Sequence, residues 1–404
     1  MKNILQYIED LFCVIKEYLF VVILVSFFLV SCNKNDERNE VDKIVQKPML
    51  IGADLSYVSQ LEDNGGSFKT EGGVVDSYQL FSEIGNDIVR LRLWHNPTWS
   101  PVAESNNPRS HYSSISQVVN DAVRAKENGM DICLDIHYSD NWADPLHQSP
   151  PKAWDNTQSL TELNELIYSY TYSVLNSFKD KTVIPKLIQI GNEINNGIMS
   201  TPNLDSFPNV SISDGNWRAQ GQLINSAIRS VRDFEKENSC DIDIVLHIAD
   251  PKNIDWWFTN ITQNGAVTDY DIIGFSYYHI WHTEVDFFNL EKLVVDSKRK
   301  FKKKVMIMET AYPFTEQNND NYANIYYKQD PISGFPYSEE GQAEYWKTLL
   351  DIMKRANCDG VFYWEPCWIT TSMKDQWGTG SSWENCAFFN FNGNANKITQ
   401  LKIN

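Results

Sequence analysis

From Met49 to Tyr363 the chain repeats one rhythm, a short β-rich apolar run followed by a longer stretch of helical periodicity. The apolar runs are Met49–Leu55, Asp87–Leu93, Asp131–His137, Leu187–Gly191, Ile242–Ile248, Asp271–Ser276, Lys304–Met308 and Asp359–Tyr363. Helical patterns fill most of the gaps, at Ile115–Asn128, Leu160–Phe178, Trp217–Glu237, Leu290–Lys300 and Ser338–Ala356. Alternation of this kind predicts βα units, which pair as a parallel sheet through right-handed crossovers. Eight runs are the number a closed (β/α)8 barrel needs, so the expected fold class is an α/β TIM barrel. An open doubly wound sheet would usually carry a glycine-rich phosphate loop after its first strand. Here the first run continues into Asp54-Leu55-Ser56-Tyr57, which has no such loop.

In a barrel of this type the chemistry gathers where the strands end and the βα loops begin. The clusters with chemical potential fall there. They are Gly52-Ala53-Asp54; Arg90-Leu91-Arg92-Leu93-Trp94; Asp135-Ile136-His137-Tyr138-Ser139-Asp140-Asn141-Trp142; Asn192-Glu193; Ser276-Tyr277-Tyr278; Glu309-Thr310; and Trp364-Glu365-Pro366. Glu193 follows the fourth run and Glu309 the seventh, so the two carboxyls face each other across the rim. A retaining glycosidase needs such a pair, roughly 5 to 5.5 Å apart. One carboxyl stays protonated to serve the leaving oxygen, and the other stays ionised to attack. Glu193 is therefore expected to be the acid/base and Glu309 the nucleophile. Asn192 is placed to bond the hydroxyl beside the reacting carbon. Arg90 and Arg92 share one strand face, and Arg92, nearer the rim, is expected to keep the nucleophile ionised, leaving Arg90 as a structural charge. Trp94, Trp142 and Trp364 offer faces on which sugar rings can stack. Asp54, His137, Asp140 and Tyr277 complete the expected substrate contacts. Glu365 reads as a loop-ordering or sugar-binding group. No G-x-S-x-G elbow is present, which removes the serine-hydrolase reading.

Composition agrees with a carbohydrate ligand. Aromatic residues make up 13% of the chain, with 13 Trp and 19 Tyr, and the formal net charge is −18. That balance opposes nucleic-acid binding, which requires clustered Lys and Arg. The dense basic stretch from Lys298 to Lys304 reads as a solvated helix end. Cysteines are few and form no C-x-x-C motif, so neither a disulfide scaffold nor a zinc site is expected. Cys133 reads as core packing, and a Cys367–Cys386 bridge stays open.

The N-terminus reads as an export signal. Tyr18 to Val30 is apolar apart from Ser26, and Leu29-Val30-Ser31-Cys32 has the form of a lipobox. Residues 1–31 are thus expected to be a lipoprotein signal peptide, with Cys32 lipidated. Residues 32–47 form a polar tether, and residues 48–404 a single domain. The segment before the apolar run is not clearly basic, and a signal-anchor helix is the alternative. The acidic tether resembles surface-export signals of Bacteroidetes lipoproteins, so an outer-membrane, cell-surface position and a monomeric state are expected.

These segments resemble glycoside hydrolase family 53, the endo-β-1,4-galactanases of the (β/α)8 retaining clan. The resemblance spans roughly Leu50 to Gly393 and rests on long matches in order. These include Gly52-Ala53-Asp54-Leu55-Ser56, Leu134-Asp135-Ile136-His137-Tyr138-Ser139-Asp140-Asn141-Trp142-Ala143-Asp144-Pro145, Gly191-Asn192-Glu193-Ile194-Asn195-Asn196-Gly197 and Glu309-Thr310-Ala311-Tyr312-Pro313. It implies internal cleavage of β-1,4-galactan, the side chain of pectic type I arabinogalactan, by Glu193 and Glu309 without a cofactor. Bacterial members often hold calcium in the loops after strands seven and eight, through Asp-x-Asp-x-His-x-Asn and Ser-Ser-Trp-Asp. Here those stretches read Asn318-Asn319-Asp320-Asn321-Tyr322-Ala323-Asn324 and Ser381-Ser382-Trp383-Glu384. Asp320 and Asn324 are left as candidate ligands, in a site weakened by the loss of an Asp and the His. Two other readings remain: a related barrel hydrolase acting on mannan, xylan or β-glucan, and a surface lipoprotein that captures glycan without cutting it.

Overall fold

The computed structural model describes residues 48–102, 111–202 and 204–401. The expected signal peptide, Cys32 and the tether lie outside the described residues. Eight parallel strands close a barrel: β1 (Leu50–Asp54), β2 (Ile88–Leu93), β3 (Asp131–Ile136), β4 (Leu187–Ile190), β5 (Asp243–Ile248), β6 (Ile272–Ser276), β7 (Lys304–Thr310) and β8 (Gly360–Tyr363). Each pairs with its neighbours in sequence, and β1 pairs with both β2 and β8. Every expected apolar run is a strand, within a residue or two at each end.

The helices follow the βα order. They are α1 (Val58–Asp63) and α2 (Ser77–Glu83) before β2, α3 (Ile115–Glu127), α4 (Leu160–Lys179), α5 (Trp217–Asn238), α6 (Ile254–Gln263), α7 (Phe287–Phe301) and α8 (Glu339–Arg355). Several starts are fixed by side-chain caps that satisfy orphan amides. Asp76 accepts from Gln79 N, Ser159 from Glu162 N, Asp286 from Asn289 N and Ser338 from Gly341 N. The short helices α1, α2 and α6 were not anticipated, because their periodic stretches are too brief to stand out.

Alternation along the strands decides what fills the barrel. Outward residues such as Val89, Leu91, Ile132 and Ile188 join the large core beneath the helices. Inward residues in the lower barrel are apolar and form a separate cluster: Ile88, Cys133, Leu187, Val245, Ile272, Met306, Met308 and Phe362. A Cβ on Gly52 would lie 2.2 Å from the Phe362 ring, so β1 must carry glycine for that ring to occupy the axis. Truncating Phe362 to Ala would cost about 3–5 kcal/mol. Above this plug the inward positions turn polar: Asp54, Arg90, Asp135, Gln189, His247 and Ser276, all buried. The fold therefore places a layer of hydrogen-bonding groups on an apolar plug, immediately below the loop-lined end. Cys133 packs in the plug as expected, and Cys367 and Cys386 are buried free thiols.

Candidate active site

A cleft of about 1040 Å³ opens at the carboxyl ends of the strands. Glu193 and Glu309 lie on its surface together with Asn192, Tyr278 and Asp144. Trp142, Trp281, Trp364, Trp368, Trp377 and Trp383 supply much of the wall.

Glu309 reaches the cleft through a local irregularity. On β7, Met306 and Met308 point into the barrel, so a regular strand would turn Glu309 outwards. Instead the pairing shifts on both sides of β7: Phe275 faces Ile307, but Ser276 faces Glu309, and Val361 faces Ile307, but Tyr363 faces Thr310. A bulge of this kind re-aims one side chain and is common next to active sites. Glu193 is turned inwards differently. After β4, Gly191 takes φ +75° and Glu193 itself φ +46°. The second value is costly for a residue with a Cβ and is held only where surrounding structure demands it.

The two carboxyls have opposite environments. Glu309 Oε1 lies 2.9 Å from Arg90 Nη1, and Tyr278 donates its hydroxyl to Oε2 at 2.9 Å. Among the described residues no cation contacts Glu193, and Ser276 Oγ stands 2.7 Å from its Oε1. Burial and the charge of Glu309 push Glu193 up to about 8. Burial also raises Glu309, but Arg90 and the Tyr278 hydroxyl act in the other direction. Two close carboxyls cannot both ionise freely, so the pair holds one proton near neutrality. That proton belongs on Glu193, which lacks the arginine.

Arg90 is the hub beneath them. Besides Glu309 it bonds Asp54 at 2.8 Å, Asp135 at 2.9 Å, Asn192 Oδ1 at 2.8 Å and Gln189 at 3.3 Å. This corrects the expectation that Arg92 serves the nucleophile. Arg92 sits one inward position higher and pairs with the fully buried Glu365 at 3.2 Å. Its guanidinium is sandwiched by Tyr57, Trp94 and Trp142, 4.0 to 4.6 Å from their ring centres. Glu309 extends down into the Arg90 layer, so the guanidinium nearer the rim is not the one that meets it.

Of the expected substrate contacts, Asp140, Trp142, Asn192 and Trp364 line the cleft. Asp140 uses its carboxylate to accept from Asn96 N and Lys152 N, each at 2.9 Å, so it also ties its loop. Asp54, Arg92, Trp94, His137 and Tyr277 are each 0–1% exposed and do not line the cleft. Asp54 holds Arg90. His137 Nε2 bonds Asp135 while Nδ1 accepts from Ala143 N, pinning the loop after β3. Trp94 covers Arg92. Tyr277 donates to Val285 O at 2.8 Å, and its neighbour Tyr278 faces the site instead. Ser276, from the expected Ser276-Tyr277-Tyr278 cluster, reaches Glu193, and His247 on β5, which no motif marks, stands behind it. The signal for both was a polar residue at an inward position of an otherwise apolar strand.

Of the candidate calcium ligands, the Asp320 carboxylate is already engaged by N–H donors, whereas the buried Asn324 Oδ1 has no hydrogen-bond partner among the described residues. Asp320 accepts from Tyr322 N at 2.6 Å and Ser381 N at 2.8 Å. Glu384 accepts from Asn319 N at 2.5 Å and from the Thr370 hydroxyl. Asn324 donates to Gln317 O at 3.3 Å. Calcium needs six to eight oxygen ligands, whereas N–H and O–H donors already face these carboxylates. Among the described residues no group of three or more His, Cys, Asp or Glu is disposed to hold a metal. With both carboxylates engaged by donors, the unpartnered Asn324 Oδ1 alone falls short of the oxygen shell that calcium takes, so the residues as placed do not fit it.

A closed eight-stranded parallel barrel with two unlike carboxyls on the floor of an aromatic cleft defines a glycoside hydrolase. The chain belongs to glycosyl hydrolase family 53, whose family model matches residues 50–401. It is 40% identical over 344 residues to an arabinogalactan endo-β-1,4-galactanase of Cellvibrio japonicus, covering 85% of this chain and 86% of that one. The solved GH53 catalytic domain of Ignisphaera aggregans superposes with a TM-score of 0.75 at 31% identity, over 88% of this chain and 95% of that one. A fungal β-1,4-galactanase structure gives 0.71 at 26% identity, covering 87% and 98% respectively.

Proposed function

We propose that this protein cuts internal β-1,4-galactosidic bonds of galactan, the side chain of type I arabinogalactan, by retaining double displacement. The observation that carries the mechanism is the asymmetry of the two carboxyls. Glu309, paired with Arg90, attacks the anomeric carbon as Glu193 gives its proton to the leaving oxygen. Water then enters, Glu193 takes its proton, and the bond to Glu309 is released with the starting configuration restored. Asn192 supports the hydroxyl beside the reacting carbon: its Nδ2 bonds Ala143 O at 2.8 Å and keeps a second hydrogen for the ligand. Family membership and the Cellvibrio relative support the galactan substrate. The open cleft, with Trp281 and Trp377 about half exposed along it, suits an internal segment of a chain. Two carboxyls complete this reaction and no cofactor is required. The loops after β7 and β8 are held by Asp320 and Glu384 without calcium in this reading.

The test is reducing-sugar release from linear β-1,4-galactan, with mannan and xylan as controls. Wild type should release sugar from galactan, and Glu193→Ala and Glu309→Ala should abolish it. Activity surviving either substitution would remove the assigned pair.

We also propose export and anchoring through a lipidated Cys32, supported by the apolar run Tyr18–Val30 and the Leu-x-Ser-Cys that ends it. Cys32→Ala should lose fatty-acid labelling and membrane association in cells. Retention of both would contradict the proposal.

A further inference from the structure

Beneath Glu193 the polar groups leave little freedom in where hydrogens sit. Arg90 Nη2 can only donate and lies 2.8 Å from Asn192 Oδ1. The Ala143 carbonyl can only accept and lies 2.8 Å from Asn192 Nδ2. These neighbours fix the orientation of the amide. His247 Nδ1, 2.9 Å from the same Oδ1, must therefore carry a hydrogen. Burial and Arg90 hold His247 well below the usual imidazole range, so the ring is neutral and Nε2 is a bare acceptor. Nε2 faces Ser276 Oγ at 2.9 Å. A hydroxyl has one proton, and if Ser276 gives it to His247, the Ser276–Glu193 contact needs its proton from Glu193.

We propose that His247 and Ser276 form a positioning relay for the Glu193 proton: the Ser276 hydroxyl points to His247 while Glu193 is protonated and swings to Glu193 when that carboxyl is ionised. The proposal rests on Glu193 being the acid/base. As the bond from the anomeric carbon to the leaving oxygen breaks and the one to Glu309 forms, the Glu193 proton passes to that oxygen. The Ser276 hydroxyl then stabilises the new carboxylate. When water attacks and Glu193 recovers a proton, the hydroxyl returns to His247. Other groups act on Glu193 from neighbouring elements: Glu309 on β7 and Asp144 after β3 favour the protonated form, and Arg90 on β2 opposes it. Tyr278, after β6, stands close by as a neutral phenol. Around His247 stand Arg90, Asp135 and His137. None of these specifies the direction of the Ser276 hydroxyl.

The first test needs no variant. Nitrogen NMR of wild-type His247 should show Nδ1 protonated and Nε2 bare, and the opposite tautomer would overturn the relay. The second uses His247→Asn, whose amide can keep the donor to Asn192 but removes the acceptor for Ser276. The hydroxyl then serves the Glu193 carboxylate throughout. The protonated-carboxyl infrared band of Glu193, assigned by its loss in Glu193→Gln, should titrate lower by about one pH unit. The basic limb of kcat/KM on galactan should move with it. In a Ser276→Ala background, His247→Asn should produce no shift. An unmoved or raised midpoint, or the same shift without Ser276, would contradict the relay. Absence of galactan cleavage by wild type would instead overturn the galactanase reading, leaving the tautomer and infrared results to judge the relay.

Discussion

Arg90 and Glu309 meet at 2.9 Å with side-chain exposures of 1% and 8%, which joins the reacting carboxyl to the polar layer of the barrel. Burial and the nearby Asp54 and Asp135 push Glu309 up to about 7, and the Arg90 guanidinium opposes them and favours its ionised form. Replacing Arg90 with Met should lower kcat about 100- to 1000-fold, comparable to removing one preorganised transition-state donor. It also strands Asp54 and Asp135, and breaking such buried pairs costs about 3–5 kcal/mol. Arg92→Met should reduce Tm but spare kcat far more, since Arg92 serves Glu365. Kinetics and thermal melts on the two variants check this, and equal catalytic losses would refute the division of labour.

Tyr277 and Tyr278 are adjacent but do different work. Tyr278→Phe removes the hydroxyl on Glu309 Oε2 and should lower kcat about tenfold to a hundredfold with little change in Tm. Tyr277→Phe leaves the Val285 carbonyl unpaired, which should cost about 1–2 kcal/mol of stability and leave kcat near wild type. Steady-state kinetics beside denaturant unfolding separates the two.

Activity requires Glu193 protonated and Glu309 ionised, so a bell-shaped pH profile is expected, with its basic limb near 8 from Glu193. The acid limb should lie above the ordinary carboxylate range, because burial also raises Glu309. The linkage with stability has a definite sign. The folded state holds the Glu193 proton more tightly than the unfolded chain. That contribution is fully present below the ordinary glutamate range and is lost as pH rises through about 8. Glu193→Gln, neutral at every pH, should therefore gain in Tm over wild type as the pH rises from about 4.5 to about 8, and the gap should level off above that. A gap that stays constant from pH 6 to 9 would contradict it.

The strands were legible because each apolar run had to cross a buried barrel wall, and Glu193 and Glu309 because they end two such runs. The depth of each side chain was not legible. Arg90 and Arg92 differ by one inward step, and the meeting of Arg90 with Glu309 depends on the bulge there, which is a matter of register with β6 and β8. Tyr277 and Tyr278 could not be ordered, since the strand ends between Ser276 and Tyr277. His247 was hidden in a short apolar strand, where an isolated histidine gives no periodic signal. Trp94 and Trp142 meet edge to face at 5.5 Å, yet the first is buried and the second lines the cleft. Composition cannot distinguish them.

The loops after β7 and β8 should not depend on metal. Added calcium or a chelator should leave Tm unchanged, while Glu384→Ala should lower it by removing the acceptor for Asn319 N and the Thr370 hydroxyl. A clear rise in Tm with calcium would show that these oxygens can rearrange into a site.

The most direct test of the central claim is covalent trapping. A fluorinated β-galactoside with a good leaving group slows the second step more than the first, so the glycosyl-enzyme accumulates and its peptide can be sequenced by mass spectrometry. The label should sit on Glu309, with none in Glu309→Ala. A label on Glu193 or Glu365, or first-formed product of inverted anomeric configuration, would contradict the assignment.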